Sequence, residues 1–307
     1  MNLAKLTMAA IDAALEKDQG AKYRGLLREL MPQADDAYST KEDPFRDHLG
    51  ASLIGRDCAR ELWYNFHWSR KGIFQGRIIR LFNTGHLAEP KFVALLKMIG
   101  CEVWQFTPEG KQFRIKGHKG HFGGSLDGVV RGIPEMPGIP LLTEFKTHGS
   151  SSFAKLIKEG VLKAKWEHVV QMQIYMGKYK LTHALYMAVN KNDDDIHAEI
   201  IQFDPGIYQR HLDRSSMIIE APKPPPKINE NIAWFGCRFC DYKGVCHRQE
   251  PPEVNCRTCS FSQIAEEGKW ICTHPIASTS TDMAVLSPER QRQENCPFYQ
   301  LSSSFIK

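Results

Sequence analysis

One stretch of the sequence carries two carboxylates and an amine at a spacing that could bind a divalent cation. Glu144-Phe145-Lys146 has the pattern of a β-strand, so Glu144 and Lys146 share one face and Phe145 takes the other. Asp127 comes earlier, before a turn-prone segment, and a hairpin would bring it next to Glu144. Two carboxylates held side by side repel each other unless a cation lies between them. The residues therefore predict a site for Mg²⁺ or Mn²⁺, which prefer oxygen ligands.

Such a site could hydrolyse a phosphate ester. A bound divalent ion polarises a phosphoryl oxygen and lowers the pKa of a water molecule that it holds. Lys146 could orient that water or neutralise the charge that develops on the phosphate. The alternative interpretation is that these charges are ordinary solvated positions on two strands.

The elements that must position these residues are a hairpin and the helices around it. The hairpin strands are predicted at Gly124–Val130 and Leu141–Thr147, with a turn at Gly132–Pro140 and a polar linker at Pro32–Pro44. Further strands are predicted at Glu102–Phe106, Gln112–Lys116, Ala184–Asn190 and Ile196–Phe203. Helices are predicted within 1–31 and at Cys58–Phe66, Leu87–Ile99, Phe153–Gly160, Trp166–Tyr179 and Pro205–Glu220.

Two further motifs flank the hairpin. Gln171 and Tyr175 are four residues apart on a predicted helix, which places them on one helical face. Upstream, Gly85 and Glu89 form a Gly-x-x-x-Glu spacing at a predicted helix start, with His86 between them. Both Glu89 and His86 carry side chains that can bind a metal ion. A core tyrosine, a surface glutamine and a structural histidine would leave the same pattern.

The order of these motifs resembles the PD-(D/E)xK nuclease superfamily, and within it the branch of RecB and lambda exonuclease. Members of that branch carry a helical acid, a strand Asp, a strand E-x-K and a helical Q-x-x-x-Y in this order. Leu126 stands before the Asp here, where the family name has Pro. The resemblance covers about Leu49 to Cys246. It implies an α/β fold in which helices flank a central mixed sheet, a restriction-endonuclease-like core.

The resemblance also implies roles for the motif residues. The metal shell would consist of Glu89, Asp127, Glu144 and the carbonyl of Phe145, with Lys146 beside the attacking water and Gln171 and Tyr175 holding the strand. The implied enzyme is a Mg²⁺- or Mn²⁺-dependent deoxyribonuclease, an exonuclease that acts in recombination, repair or phage DNA processing. Its implied partners are DNA with a free or single-stranded end and a recombination partner protein.

Seven of the nine cysteines lie at or beyond Cys237, in two groups that each begin with C-x-x-C. In a reducing compartment such clusters hold metal more often than they form disulfides. Cys237, Cys240 and Cys246 supply three thiols, and Cys58 is the upstream candidate for the fourth. This set resembles the iron–sulfur nucleases, AddB and the CRISPR-associated exonucleases of the same branch. The resemblance implies a [4Fe–4S] cluster that staples the chain ends around the core, although zinc also accepts four thiolates.

The second group of cysteines predicts a small zinc module near the C-terminus. Cys256 and Cys259 form the C-x-x-C pair, and Cys272 and Cys296 follow singly. Four thiolates suit Zn²⁺, and His274 could replace one of them. A division into three segments follows: an N-terminal helical segment and linker (1–48), a core closed by the first four cysteines (49–250) and a C-terminal cysteine-rich metal module (251–307).

A basic and aromatic stretch precedes the predicted Glu89 helix. Basic residues that alternate with Trp63, Tyr64, Phe66 and Trp68 suit phosphate binding combined with base stacking, as on a single-stranded end. The alternative is an amphipathic helix with a solvated charged face. The basic residues are Arg56, Arg60, Arg70, Lys71, Arg77 and Arg80.

Composition narrows the remaining function classes. The 307 residues include 40 Lys and Arg against 35 Asp and Glu, and a net charge of +5 fits a polyanionic partner without requiring one. A hydrophobic fraction of 42% excludes wholesale disorder. With no apolar run of about 18 residues and no signal peptide at the N-terminus, we expect a cytoplasmic protein without membrane contacts. A catalytically silent DNA-binding accessory protein and an iron–sulfur redox protein remain alternatives to the nuclease.

Overall fold

The computed structural model describes residues 2–38, 45–275 and 285–305. The α-helices are α1 (Lys5–Asp18), α2 (Ala21–Leu30), α3 (Asp35–Tyr38), α4 (Ala59–Phe66), α5 (Gly76–Met98), α6 (Ser150–Glu159), α7 (Val161–Ala164), α8 (Trp166–Tyr179), α9 (Pro205–Glu220), α10 (Phe235–Arg238), α11 (Lys243–Arg248) and α12 (Pro288–Gln291). The strands are β1 (Leu49–Gly50), β2 (Glu102–Trp104), β3 (Arg114–Gly117), β4 (Phe122–Ser125), β5 (Gly128–Arg131), β6 (Leu141–His148), β7 (His183–Asn190), β8 (Ile196–Gln202), β9 (Ser262–Ile264), β10 (Trp270–Cys272) and β11 (Val285–Leu286). Residues 39–44 of the predicted linker lie outside the described residues.

The chain divides into two compact units, and each is discontinuous in sequence. The first unit comprises Met1–Glu42, Phe74–Ile115 and Ser125–Gln209, and the second comprises Asp43–Ile73, Lys116–Gly124 and Arg210–Lys307. The three-segment division at residues 48 and 250 stays a prediction.

A five-stranded sheet in the order β2-β5-β6-β7-β8 forms the centre of the first unit. β6 and β7 are parallel, and the other neighbouring pairs are antiparallel. Parallel neighbours need a long crossover connection, which α6, α7 and α8 supply. The extended N-terminus joins the free edge of β8, where the N–H of Ala4 donates to the carbonyl of Ala198 at 3.0 Å.

Helices cover both faces of this sheet. On one face, Phe145 of β6 stacks on Phe92 of α5 with 4.9 Å between the ring centroids, in a core that also includes α1 and α2. On the other face, α8 packs against β6 and β7 through buried residues such as Met172 and Tyr175. The predicted fold class, a central mixed sheet flanked by helices, is confirmed for the first unit.

The predicted hairpin is confirmed as the antiparallel pair β5 and β6. The prediction of one continuous strand through Gly124–Val130 is wrong, because Leu126 and Asp127 lie in a break between β4 and β5. Strand pairing resumes at Gly128, where φ is +156° and a Cβ would lie 2.7 Å from the carbonyl oxygen of Trp104. Only glycine tolerates this combination of a positive φ and a close approach.

Helix α5 is longer than predicted, since it begins at Gly76 rather than at Leu87. The added turns are largely exposed, although they carry the apolar residues Ile78, Leu81 and Phe82 at helical spacing. Pro90 lies inside the helix and has no N–H, so the carbonyl of His86 loses its usual helical donor. The first half of the helix, before Glu89, is largely exposed, and the second half is largely buried.

The second unit combines short strands with an aromatic core. β1 pairs in parallel with β4, and β9, β10 and β11 form an antiparallel sheet. The guanidinium of Arg257 is buried between the rings of Trp68 and Trp270, at 3.7 and 4.8 Å from their centroids. It also donates to the carbonyl of Phe66 at 3.1 Å, so its charge is fixed by cation–π and hydrogen-bond contacts. No described helix is both long enough and apolar enough to cross a membrane.

Candidate metal centre

The register of β5 and β6 brings the two predicted carboxylates together. Gly128 pairs with Thr143, which places Asp127 beside Glu144. The backbone N–H of Phe145 donates to Oδ2 of Asp127 at 2.7 Å. A backbone hydrogen bond thus fixes the first acid to the strand that carries the second.

Glu144 is fully buried, and Lys146 forms an ion pair with its Oε1. Burial raises the pKa of Glu144 to about 7, and the charge of Lys146 opposes this increase while that of Asp127 adds to it. Burial also raises the pKa of Asp127. Burial alone would lower the pKa of Lys146, but the charges of Glu144, Asp127 and Glu89 outweigh it and raise that pKa. The amine is therefore a cation, and it faces more than one carboxylate.

Two open clefts meet at the α5 residues His86 and Glu89. The larger, of about 680 Å³, is lined by Asp127 together with Gln112 and Arg114. The smaller, of about 320 Å³, is lined by Lys146. Glu89 therefore stands where the two clefts join, on the same side of the molecule as the lysine whose pKa it affects.

Gln171 and Tyr175 lie on α8 and are both buried. Their helix packs on the face of the sheet that carries Glu144 and Tyr186, whereas Phe145 points to the opposite face. The predicted motif residues thus come from α5, the β5–β6 hairpin and α8 of one unit. Their catalytic and metal-binding roles stay predictions.

A chain of polar contacts that the sequence analysis missed lies next to this site. Oη of Tyr186 is 2.9 Å from Nε2 of His148 and 3.1 Å from Nδ1 of His168. Nδ1 of His148 is 3.0 Å from Oγ of Ser152, which accepts a hydrogen bond from Lys165 at 2.7 Å. The sequence contains one pattern from which these polar contacts could have been predicted. His148 follows Lys146 on the same strand face, and His168 precedes Gln171 by one helical turn.

The lowered pKa values of His148 and His168 keep both imidazoles of this set of polar contacts neutral. Burial, followed by the charges of nearby lysines, lowers the pKa of His148 to about 4 and that of His168 to about 2. Burial also raises the pKa of Tyr186. Neutral imidazoles each offer one donor and one acceptor, so the chain can tie β6, β7 and α8 together without adding charge near Lys146.

The acidic residues fit a divalent cation by their chemistry. Neither oxygen of the buried Glu144 receives a well-directed hydrogen bond from a described residue. A buried carboxylate without donors is costly unless a cation balances it, and Lys146 is shared with Asp127 and Glu89. No three His, Cys, Asp or Glu side chains in the described ranges are already grouped in coordinating positions. The predicted donors are carboxylates, the oxygen ligands that Mg²⁺ and Mn²⁺ prefer, and their grouping around one ion stays a prediction.

In the second unit, the first cysteine group lies around the start of α4. Sγ of Cys58 accepts the N–H of Glu61 at 3.4 Å and caps this helix. Burial raises the pKa of Cys237, Cys240 and Cys246, to about 12 for Cys240, and in each case the charge of Cys58 adds to the increase. The four thiols are thus electrostatic neighbours although Cys58 is distant in sequence.

The second cysteine group lines one small pocket of about 40 Å³. Cys256, Cys259, Cys272 and Cys296 all contribute to it, beside His274. Burial raises the pKa of Cys256 to about 12, and the charges of the other three cysteines add to the increase. The four thiols thus line one pocket, although no three of them are grouped in coordinating positions within the described residues.

The predicted stacking aromatics are buried, which corrects one expectation. Trp63, Tyr64, Phe66 and Trp68 are between 1% and 3% exposed and belong to the core of the second unit. Base stacking needs an open ring face, so these four residues cannot provide it. Three of the six basic residues are also engaged within the second unit, through the pairs Arg56–Glu61, Arg70–Glu250 and Lys71–Glu294.

No family model and no curated protein matches this sequence. Among solved structures, LHK-Exo in complex with dAMP is 19% identical, covers 56% of this chain and 86% of its own, and has a TM-score of 0.42. The alkaline exonuclease LHK-Exo from Laribacter hongkongensis is 17% identical, with coverages of 56% and 86% and a TM-score of 0.41. SSO0001 is 15% identical, with coverages of 74% and 96% and a TM-score of 0.39. Since all three identities are low, the function of this chain is inferred from its own residues.

Proposed function

We propose that this protein is a metal-dependent deoxyribonuclease, an exonuclease that hydrolyses phosphodiester bonds. One observation carries the proposal: Asp127 is hydrogen-bonded to the strand of the buried Glu144, and Lys146 forms an ion pair on the same strand face. This arrangement has a surplus of buried negative charge that a divalent cation would balance. The exonuclease assignment rests on the order of the motifs.

The residues that would hold the ion are Glu89, Asp127, Glu144 and the backbone carbonyl of Phe145. A Mg²⁺ or Mn²⁺ ion bound there would supply Lewis acidity to a phosphoryl oxygen and acidity to a bound water. The chain itself contributes a permanent cation, because the raised pKa of Lys146 keeps the amine protonated at neutral pH. That ammonium can stabilise the negative charge of a phosphate in the transition state.

Gln171 and Tyr175 would position the DNA strand from the α8 side. Both are buried on the helix that covers the acidic face, so neither presents an open surface to DNA in this structure, and their role in positioning the strand stays a prediction. DNA with a free or single-stranded end is the proposed substrate. A recombination partner protein stays a prediction, as does a role in recombination, repair or phage DNA processing.

The two cysteine groups would hold structural metals. We infer a [4Fe–4S] cluster, with zinc as the alternative, at Cys58, Cys237, Cys240 and Cys246. At the second group, Cys256, Cys259, Cys272 and Cys296 line one pocket, and four thiolates suit a Zn²⁺ ion. Thiols whose pKa is raised by burial remain protonated until a metal displaces the proton, so metal loading would depend on pH.

Digestion of end-labelled DNA tests the proposed activity. The full chain is incubated with linear and closed circular DNA of the same sequence in Mg²⁺ or Mn²⁺. We expect shortening of the linear DNA only, and a loss of about 1,000-fold in rate for Lys146→Ala, since groups that stabilise transition-state charge have effects of this order. Lys155→Ala is the matched control, because Lys155 is an exposed lysine whose nearest carboxylate is Glu159 on its own helix.

Three results would contradict the proposal. Absence of any digestion by the metal-loaded protein would favour the DNA-binding accessory protein. Digestion that Lys146→Ala leaves unchanged would place the chemistry elsewhere. Equal cleavage of circular DNA would exclude an exonuclease while keeping a nuclease.

A further inference from the structure

The smaller cleft beside Lys146 has features that the nuclease chemistry alone does not use. Its lining combines Phe82 and His86 of α5 with Lys146, Thr147 and Lys191 of the sheet side. An aromatic ring, cations and a hydroxyl surround one open space of about 320 Å³. This combination matches the chemistry of a nucleotide, which presents a flat base and an anionic phosphate.

The ring of Phe82 is available to a ligand. It is 45% exposed although it is a large apolar side chain, and it lies one helical turn before His86 on the same stripe of α5. Phe74 packs against it with 5.0 Å between centroids and an interplanar angle of 83°. A single T-shaped contact occupies at most one face of the Phe82 ring, so ring surface stays open for stacking.

Lys191 offers a cation on the other side of the cleft. The residue is exposed, and its ammonium has no carboxylate partner among the residues that the structure describes. Its backbone is fixed, because the N–H of Lys191 donates to the carbonyl of His148 at 2.8 Å. A lysine with a fixed backbone and an unengaged ammonium suits contact with a phosphate.

The sizes of the two clefts suggest how a strand would be divided between them. Both are lined by His86 and Glu89, so the proposed metal ligands stand at their junction. The larger cleft of about 680 Å³ carries Arg114, Lys111 and Gln112 and could accommodate a longer stretch of strand. The smaller cleft is near the lower end of the range of ligand pockets, which is about 300 Å³, and so suits one nucleotide.

We propose that the smaller cleft binds the terminal nucleotide of a DNA strand, with its base on Phe82 and its phosphate near Lys191. This inference rests on the proposed function, since it specifies the substrate end that the site receives. Phe82 is then the residue that recognises the presence of a base, without reading its identity, because every base has a flat face.

A binding cycle tests the proposed base contact directly. The full chain is titrated with a fluorescent single-stranded oligonucleotide in Ca²⁺, and the dissociation constant is compared with that for the same strand with an abasic terminal nucleotide. We expect Phe82→Ala and removal of the base each to weaken binding about tenfold. The two changes combined should weaken it no further, because both remove the same contact. Phe82→Tyr should restore discrimination.

Two more variants complete the design. Ile79→Ala is the matched control, because Ile79 is an exposed apolar residue of the same helix that lines neither cleft. It should leave both affinities unchanged. Lys191→Ala should weaken binding of the intact and abasic strands equally and reduce the salt dependence of binding, as expected for a phosphate contact.

Additive effects of Phe82→Ala and base removal would overturn the inference, and so would equal affinity of the wild type for the two strands. Because the readout is binding, it separates the inference from the proposed activity. Coupled effects in a protein that digests no DNA would refute the nuclease and keep the subsite. Digestion by a protein that shows no coupling would refute the subsite alone.

Discussion

The acidic site of the first unit and the cysteine groups of the second differ in how their residues are held. Asp127 and Glu144 are placed by neighbouring strands, and a backbone hydrogen bond of 2.7 Å connects the first acid to the second strand. The cysteines lie in short helices, in loops and, for Cys272, at the end of β10, and burial raises the pKa of thiols in both groups. The acids are thus held by the pairing of two strands, whereas the thiols lie on short separate segments.

This difference predicts how each unit depends on its metal. A site set by strand register keeps its shape when the ion leaves, because the backbone holds it. A site made of loops draws its geometry from the metal, so metal binding and folding are coupled. Removing a metal should therefore affect activity in the first unit and stability in the second.

The largest expected effect is at Cys58, whose thiol would tie α4 to the later cysteines. We expect Cys58→Ala to lose the iron of the first group and to lower the thermal midpoint by about 10 °C or more. Iron content and differential scanning calorimetry of the full chain measure both. Cys101→Ala is the control, since Cys101 is buried in the core of the first unit and should keep the iron. Equal iron content in both variants would contradict the proposal that Cys58 binds an iron–sulfur cluster.

The second effect is the pH dependence of metal binding in the first unit. Burial raises the pKa of Glu144 to about 7, so an ion must displace a proton below that pH. Mg²⁺ affinity, measured by calorimetry on the full chain, should therefore weaken toward tenfold per pH unit as the pH falls below about 7. In the absence of divalent ions, the free energy of unfolding should change with pH in the opposite direction to the Mg²⁺ affinity. The stabilising protonated form is lost as the pH rises from about 4.5 to about 7, and so stability should fall.

That pH dependence would sharpen the contrast between the two units. Affinity that is flat between pH 5 and 8 would mean that Glu144 is not a ligand. A thermal midpoint that rises with pH in EDTA would mean that the buried carboxylate is stable as an anion without a metal.

The smallest effect concerns the chain of His148, Tyr186 and His168. Tyr186→Phe removes one hydroxyl that contacts both imidazoles, and such contacts contribute about 1 kcal/mol. We expect digestion to slow about three- to tenfold, with kcat affected more than KM. In a Gln171→Ala background the change should have little further effect, since both act through α8. Tyr179→Phe removes a hydroxyl from the same helix, which donates to the carbonyl of Arg114, and should be nearly silent.

Much of the acidic site was predictable from the sequence because its information is local. Alternation along a strand decides which face Glu144 and Lys146 share, and a turn-prone segment before Leu141 indicates a hairpin. The helix of Gln171 and Tyr175 was predicted with its observed bounds, Trp166–Tyr179, because its apolar positions repeat with helical period. Local periodicity predicts which residues share a face, and the strand register then places those residues in the site.

Other features depend on tertiary packing and were therefore missed or mistaken. The tryptophans beside Arg56 and Arg60 look like a binding surface in sequence, but Arg257 lies far away in the chain and packs against Trp68 in the core. The exposure of Phe82 could not be predicted from the sequence, because residue type alone does not tell whether a phenylalanine is buried. The close backbone approach at Gly128 was not predictable either, since it is made by the carbonyl of Trp104 on another strand.

The β5–β6 hairpin determines where the sequence can accept insertions during evolution. Asp127 is anchored from the far strand by Phe145, so its position does not depend on the length of the connection between β5 and β6. Insertions among residues 137–140, which are exposed, could then lengthen the connection without moving either acid, whereas Ile133 is buried in the core and Glu135 accepts the N–H of Thr7. These four exposed residues offer an engineer a place to add a tag or a tethering domain, because the pairing of Gly128 with Thr143 sets the geometry of the two acids.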